Sequence, residues 1–302
     1  MNLFTISDLS RFSGIKPHTI RIWEQRYEAL SPSRSEGNTR YYDGEQLRRL
    51  LNIVSLMNTG KKISQVGNLD DEDLFNMVME RIPVSADTEN STDYFVAQLI
   101  AAGLNYNESY FDKMFSAGVI RYGLKNMYIK VIHPMLMRVG IMWASNTLPP
   151  ANEHFISNLV RQKLYSAIDT LPPPVVKKEK WLLFLPEGEY HELGLLLANY
   201  LIRKSGRDTI YLGANLPLTN LSQLFQTTGA THLLTFIVHK DFPENTRDLL
   251  KVLRKNFKGE KMLIAIDEMN SKDVKISMPF YQLHSVEDLE FHLDPGRNKG
   301  KK

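Results

Sequence analysis

The sequence predicts a multidomain chain with a winged helix-turn-helix in front, a four-helix bundle behind it, and a doubly wound α/β domain with a five-stranded parallel sheet at the end. Three observations carry that reading. Two short amphipathic helices flank Gly14 and are followed by a basic hairpin around Gly37-Asn38. From Thr92 to Leu171 the apolar residues keep helical spacing without a strand signal. After the proline-rich stretch LPPPVVKKEK, short apolar runs alternate strictly with amphipathic helices, the pattern of a parallel sheet with right-handed crossovers.

Composition narrows the class. At 302 residues, with 43% hydrophobic residues, the chain can bury two or three ordinary cores. It contains no cysteine, which removes disulfides, thiol nucleophiles and Cys-rich metal sites. The opening MNLFTISDLSRF lacks a secretory pattern, and no apolar run reaches the ~18 residues of a spanning helix, so a cytoplasmic protein without membrane association is expected. The net charge of +3 is uneven: residues 1–62 carry ten Lys/Arg against six Asp/Glu, and the remaining 240 are nearly neutral. A basic front is where a polyanion-binding module belongs.

Taken in order, Thr5-Ile6-Ser7-Asp8-Leu9 reads as a capped helix start, with Ile6, Leu9 and Phe12 on one face. The second helix runs from Pro17 to about Tyr27, and proline in the first turn forfeits no hydrogen bond. Ile20, Trp23 and Tyr27 seat it against the first, leaving His18, Thr19, Arg21 and Arg26 outward or sideways. Arg21 and Glu24, spaced i,i+3, suit either an internal ion pair or a phosphate contact by Arg21. Arg34 on one side of the hairpin tip and Arg40-Tyr41-Tyr42 on the other make a basic wing suited to phosphate and minor groove. The candidate DNA contacts are Lys16, His18, Thr19, Arg21, Arg26, Arg34, Asn38, Arg40 and Tyr41, with His18 and Thr19 at base edges. A third helix follows from Asp43 to Asn58, with Leu47, Leu50, Leu51, Val54 and Met57 at core spacing, then a short one at Ile63–Val66.

Through TISDLSRFSGIKPHTIRIWEQRY, PSRSEGNTRYY and GKKISQV, residues 3–68 resemble the MerR winged-helix DNA-binding domain. The resemblance implies a transcription regulator, a partly palindromic double-stranded operator, and a homo-oligomer (dimer or tetramer) that meets RNA polymerase only indirectly at the promoter. The DNA-binding domain is set at 1–68.

Residues 69–91 read as a linker with one short helix around Leu74 to Met79. The bundle, 92–171, divides into helices at Asp93–Leu104, Glu108–Tyr122, Leu124–Ala144 and Asn152–Ile168, with a kink expected at Pro134. Trp143 lies at the end of the third, Glu153 and His154 at the start of the fourth; by themselves they suit core packing and helix N-terminal charge. A stiff spacer at 172–180 leads to an α/β domain at 181–293 and a basic tail at 294–302. Strands are expected at 181–185, 209–212, 232–238, 262–266 and 280–283, helices at 191–204, 219–228, 244–256 and 285–291. No GxGxxG follows the first strand, no Walker A motif occurs, and no Ser-His-Asp or paired-Glu constellation emerges. Catalysis is not expected.

The turn after the first strand carries Glu189 and His191, then Gly194. In open α/β sheets ligands sit outside the carboxyl ends of the strands. A histidine there, with a carboxylate fixing its tautomer, suits a single bond to a metal; a solvated surface pair is the plainer alternative. Glu189-x-His191-x-x-Gly194 resembles the Asp-x-His-x-x-Gly pattern of cobalamin-binding domains. Trp143, nine residues, then Glu153-His154 matches the cap motif that precedes such domains. With the MerR-like front, the order resembles the CarH/LitR photoreceptor repressors. That resemblance implies adenosylcobalamin as cofactor, His191 as lower ligand to cobalt, and Trp143, Glu153 and His154 over the upper face. It implies a repressor whose dark oligomer grips DNA and which light dissociates.

Three positions depart from the pattern. Thr235-Phe236-Ile237-Val238 stands where Ser-x-Leu is expected, and Ala265-Ile266-Asp267 where Gly-Gly is expected. Both small-residue motifs line the slot for the cofactor's nucleotide tail in that family. Ala144 replaces the histidine that follows the cap tryptophan in some members. Two alternatives therefore stand beside the photoreceptor reading: a cofactor-free regulator whose α/β domain serves oligomerisation or protein contact, and a corrinoid enzyme domain fused to a regulator.

Overall fold

Thr5 and Asp8 set the first helix by a reciprocal exchange. The Thr5 hydroxyl accepts from the Asp8 amide at 3.3 Å and the Asp8 carboxylate accepts from the Thr5 amide at 2.9 Å, opening α1 (Ile6–Ser13). Gly14, at φ 71°, turns the chain into α2 (Pro17–Tyr27), whose Ile20 and Trp23 are buried. The wing follows as β1 (Ser33–Arg34) antiparallel to β2 (Arg40–Tyr41), with Asn38 in the left-handed region at φ 60°. This is a computed structural model, describing residues 3–35, 38–58, 60–81, 89–144, 148–217, 219, 221–238, 243–266 and 280–294. Gly37 at the hairpin tip, most of the turn after Trp143 (145–147), Asp267 and all but Asp294 of the basic tail lie outside them.

The chain divides into two compact units, residues 1–159 and 160–302. Helix α3 (Gly44–Asn58) is the hub of the first. It buries Leu47, Leu50, Leu51, Ile53 and Leu56, whereas Val54 and Met57 are only half-buried, because neighbours pack on more than one side of it. After α4 (Ile63–Val66) comes α5 (Asp71–Arg81), longer than the short linker helix expected from sequence. Leu74, Phe75 and Val78 are buried and α5 packs on α3, so this stretch belongs to the folded body. Arg49 of α3 secures the arrangement by donating to the Ala29 carbonyl (2.8 Å), the Gly67 carbonyl (2.6 Å) and Asp71 (2.8 Å).

The helical segment comprises α6 (Glu89–Leu104), α7 (Glu108–Met127), a π-helical turn (Tyr128–Ile132), α8 (His133–Ala144) and α9 (Pro150–Asp169). The break expected near Tyr122 is Gly123, at φ 71° and ψ 157° inside α7. The kink expected at Pro134 appears as the wide turn just before it. Proline donates no N–H and its ring crowds the carbonyl four residues back, and a π turn there widens the helix and relieves both. At the start of α9, buried Asn152 donates to the Gly103 and Leu104 carbonyls at 3.1 Å each, and Ile156 lies against Gly103.

Helix α6 meets α3 through a buried polar network. Asn52 Oδ1 accepts from the Tyr94 hydroxyl and from Gln98 Nε2, both at 2.8 Å, and Gln98 Oε1 accepts from the Tyr110 hydroxyl of α7 at 2.9 Å. Arg48 lies 4.5 Å over the Tyr110 ring. A polar cavity of about 270 Å³ opens beside it, lined by Arg48, Asn52, Asp71, Glu72 and Lys113 among others.

In the second unit the sheet order is β4-β3-β5-β6-β7, all parallel. The elements are β3 (Val176–Phe184), α10 (Glu192–Lys204), β4 (Arg207–Tyr211), α11 (Leu221–Thr228), β5 (His232–Ile237), α12 (Pro243–Asn256), β6 (Lys261–Ile266), β7 (Phe280–Leu283) and α13 (Val286–Leu293). Strand β3 starts within the expected spacer: the amides of Val175 and Val176 both donate to the Gly206 carbonyl, at 2.8 and 2.9 Å, and a register shift follows before Lys180. Leu182, Phe184, Leu233, Ile237 and Ile264 face α11 and α12 in one core. Trp181, fully buried, stacks on His232 at 4.7 Å between centroids. The chain leaves β3 for β4 on one side and resumes at β5 on the other, so the topological switch point falls between β3 and β5.

Candidate functional site

Two surfaces collect the predicted residues. On α2, His18, Arg21, Ile22, Gln25 and Arg26 are exposed at helical spacing opposite buried Ile20 and Trp23, with Lys16 exposed at the cap. Thr19 is half-buried, its hydroxyl 3.3 Å from His18 Nε2. Arg21 does not pair with Glu24, which corrects the ion-pair alternative. Glu24 is taken from across the wing: Arg40 Nε donates to its two oxygens at 2.9 and 3.1 Å, and the buried Tyr42 hydroxyl donates at 3.0 Å. The Glu24 carboxylate thus ties the wing to α2 and raises the Arg40 pKa further. Arg34, exposed, donates to Asn38 Oδ1 at 2.6 Å across the hairpin, and Tyr41 is half-buried. Sequence spacing missed Glu24 and Tyr42, because their partners lie 16 and 18 residues away.

The second surface lies at the switch point. Glu189 is fully buried, and its carboxylate is saturated with donors. Oε1 accepts from the amides of Tyr190 (2.9 Å) and His191 (3.0 Å) and lies 2.6 Å from His191 Nδ1, while Oε2 accepts from the Val238 amide beyond β5 at 2.7 Å. One side chain therefore bridges the turns after the two strands that flank the switch point. Burial of a carboxylate is tolerable only with such compensation. The hydrogen bond to Glu189, against opposing desolvation, raises the His191 pKa above its ordinary value. With Nδ1–H donating to the carboxylate, the imidazole lone pair sits on Nε2, and the His191 side chain is 58% exposed.

The neighbouring loop braces this turn. Asn215, at φ 60°, accepts from the Gly188 amide at 2.9 Å through its side chain, and its own amide donates to the Glu189 carbonyl at 3.2 Å. Glu192, in the first turn of α10, accepts from Tyr211 (2.9 Å), Arg161 (3.2 Å) and Tyr165 (3.4 Å). Burial and Glu192 together push the Tyr211 phenol far above its usual range. Gly194 faces Phe236: a Cβ on Gly194 would fall 2.9 Å from Phe236 Cε2. Thr235 is fully buried, and its hydroxyl has no hydrogen-bond partner among the described residues. Val238 carries no motif; only the topology brings its amide to Glu189.

In the first unit Trp143 is 52% exposed, so it is not the core residue that its type alone suggested. Glu153 Oε2 lies 3.3 Å from His154 Nδ1, with His154 at the surface. Among the described residues no group of three or more His, Asp or Glu side chains converges as for a bare metal ion, and no helix is long and apolar enough to cross a membrane.

Residues 4–72 match the family model described as MerR HTH family regulatory protein. The HTH-type transcriptional repressor CarH of Myxococcus xanthus is 26% identical over 222 residues, 73% of this chain and 74% of that protein. The repressor CarA of the same organism is 26% identical over 217 residues, 72% of this chain and 70% of that one. Among solved structures, the monomethylamine corrinoid protein of Methanosarcina barkeri superposes with a TM-score of 0.51 at 14% identity, over 65% of this chain and 96% of that one, which establishes a shared fold. Residues 4–72 thus form a DNA-binding domain of the MerR HTH type, and the chain as a whole is similar to the transcriptional repressors CarH and CarA over more than 70% of its length.

Proposed function

We propose that the regulator is a repressor whose α/β unit senses a corrinoid, adenosylcobalamin being the form its resemblance to the CarH/LitR group implies. The observation that carries this is the Glu189–His191 pair at the switch point: a buried, saturated carboxylate holding an exposed imidazole with its lone pair on Nε2. One imidazole suits a metal already held equatorially by a macrocycle, and the carboxylate behind it is the usual means of raising ligand basicity. His191 would be the protein's single ligand to cobalt, held by Glu189. Exposed Tyr190 and Leu212, beside the turn and at the carboxyl end of β4, offer apolar surface to a flat ring. Trp143, Glu153 and His154 serve as the cap, and Ala144 leaves no second imidazole next to the tryptophan. Bound adenosylcobalamin supplies a light-sensitive cobalt–carbon bond, and the two states of the ligand bias the oligomer that holds DNA.

The test is direct. Full-length protein is mixed with adenosylcobalamin in darkness and desalted, and its absorbance, oligomer size and operator affinity are read before and after illumination. Retained colour with a histidine-ligated spectrum, lost in His191→Ala, and a light-dependent change in size and DNA binding are expected. A colourless eluate with unchanged oligomer size would exclude adenosylcobalamin as the ligand, and the same result with adenosylcobinamide would sink the corrinoid reading. The second reading, a regulator without cofactor, is favoured by the Phe236 ring packed on Gly194. It predicts that same colourless eluate together with intact operator binding.

A further inference from the structure

We propose that the α/β unit selects corrinoids that lack the nucleotide tail, and that Phe236 makes the selection. This rests on the corrinoid reading above. Gly194 lies in the first turn of α10, three residues after His191, and Phe236 lies in β5, two residues before the Val238 amide that holds Glu189. Phe236 projects to the α10 side of the sheet, opposite the face on which Leu233 and Ile237 join the α11–α12 core. Its ring lies so close to Gly194 that even a methyl group there would crowd Cε2. An aromatic side chain, half-buried, therefore occupies the close approach of α10 to β5 three residues past His191.

The chemistry of the ligand turns this into a choice. A complete cobalamin carries its nucleotide on the lower face of the ring, the face His191 would occupy. When a protein imidazole takes the lower position, the displaced base and its ribose must enter the protein beside that imidazole. With Phe236 against Gly194, this requires displacing its ring from that contact, a penalty of the overpacking kind. A corrinoid with amide arms and no nucleotide asks for no such space. It also has no base of its own, so His191 provides the lower ligand without competition.

Full-length protein titrated in darkness with adenosylcobinamide and with adenosylcobalamin, followed by absorbance, measures the choice. Adenosylcobinamide is expected to bind about tenfold or more tightly and to acquire an imidazole-ligated spectrum. Phe236→Ser is expected to erase most of that preference by strengthening cobalamin binding, with far-UV circular dichroism confirming the fold. The wild-type ratio alone decides the matter should the variant misfold. Equal affinities, tighter binding of cobalamin, or cobalamin bound with its own base still on cobalt at comparable affinity would each overturn the proposal. Binding of neither compound overturns the corrinoid reading itself, an outcome distinct from a lost preference.

Discussion

Single side chains divide into those that face a ligand and those that hold them. Arg21 and Arg34 are exposed and suited to phosphate, whereas Arg40 is engaged by Glu24. Arg21→Ala should therefore lower the slope of log affinity against log salt by about one unit. Glu24→Gln should weaken operator binding with the slope retained, because it loosens the wing rather than removing a cation. A salt titration of both variants checks the pair, and an unchanged slope in Arg21→Ala excludes that contact. His232 supplies a pH prediction. Burial against Trp181 lowers its pKa, so the folded state resists a proton that the unfolded chain accepts. Stability of the α/β unit should fall as pH drops through the ordinary histidine value of about 6.5 and level off below the depressed folded value. Thermal melts between pH 8 and pH 5 read this, and His232→Phe should flatten the dependence. Glu189 and His191 were legible in sequence because their spacing is local. The donors that make Glu189 tolerable were not, since Val238 is 49 residues away.

Among elements, the strictly alternating half was the more legible. All five strands of the parallel sheet and the four helices of its layers fall within a few residues of their expected spans, because each carries its own apolar run. The starting edge of β3 was obscured by the prolines before it: Val175 and Val176 are drawn into pairing by Gly206, a contact without local signal. The acidic surface of α5 suggests a linker, although its Leu74, Phe75 and Val78 face inward. The π turn shows proline acting one turn upstream of itself. At the α3–α6 contact, Asn52→Leu would strand the Tyr94 hydroxyl and the Gln98 amide in a buried site. A loss of roughly 1–3 kcal/mol for each unsatisfied group is expected, seen as a lower unfolding midpoint in denaturant. Little or no change would mean that water replaces the amide.

At the scale of the molecule, charge and contacts place the two tasks at opposite ends of the sequence. The basic surplus lies in residues 1–62 and the imidazole site lies beyond residue 160. His191→Ala should thus leave ligand-free operator affinity within about twofold of the parent while abolishing its response to corrinoid. A fluorescence anisotropy titration with and without ligand separates the two, and a loss of ligand-free affinity would show that the turn also supports the DNA-binding half.

The network around Asn52 redraws the boundary at which this regulator can be cut. The sequence suggests a portable DNA reader ending near residue 68, but the amide of α3 finds its partners on α6 and, through Gln98, on α7. A graft of the first 68 residues onto a foreign sensor would open a polar wound on the reader and leave an equal one on the bundle. In recombination, natural or designed, the smallest transferable piece is the reader together with α5, α6 and α7. Diversity among relatives with working chimeric architectures should accordingly begin after Met127, and exchange of operators should proceed by changes on α2 and the wing rather than by replacement of the module.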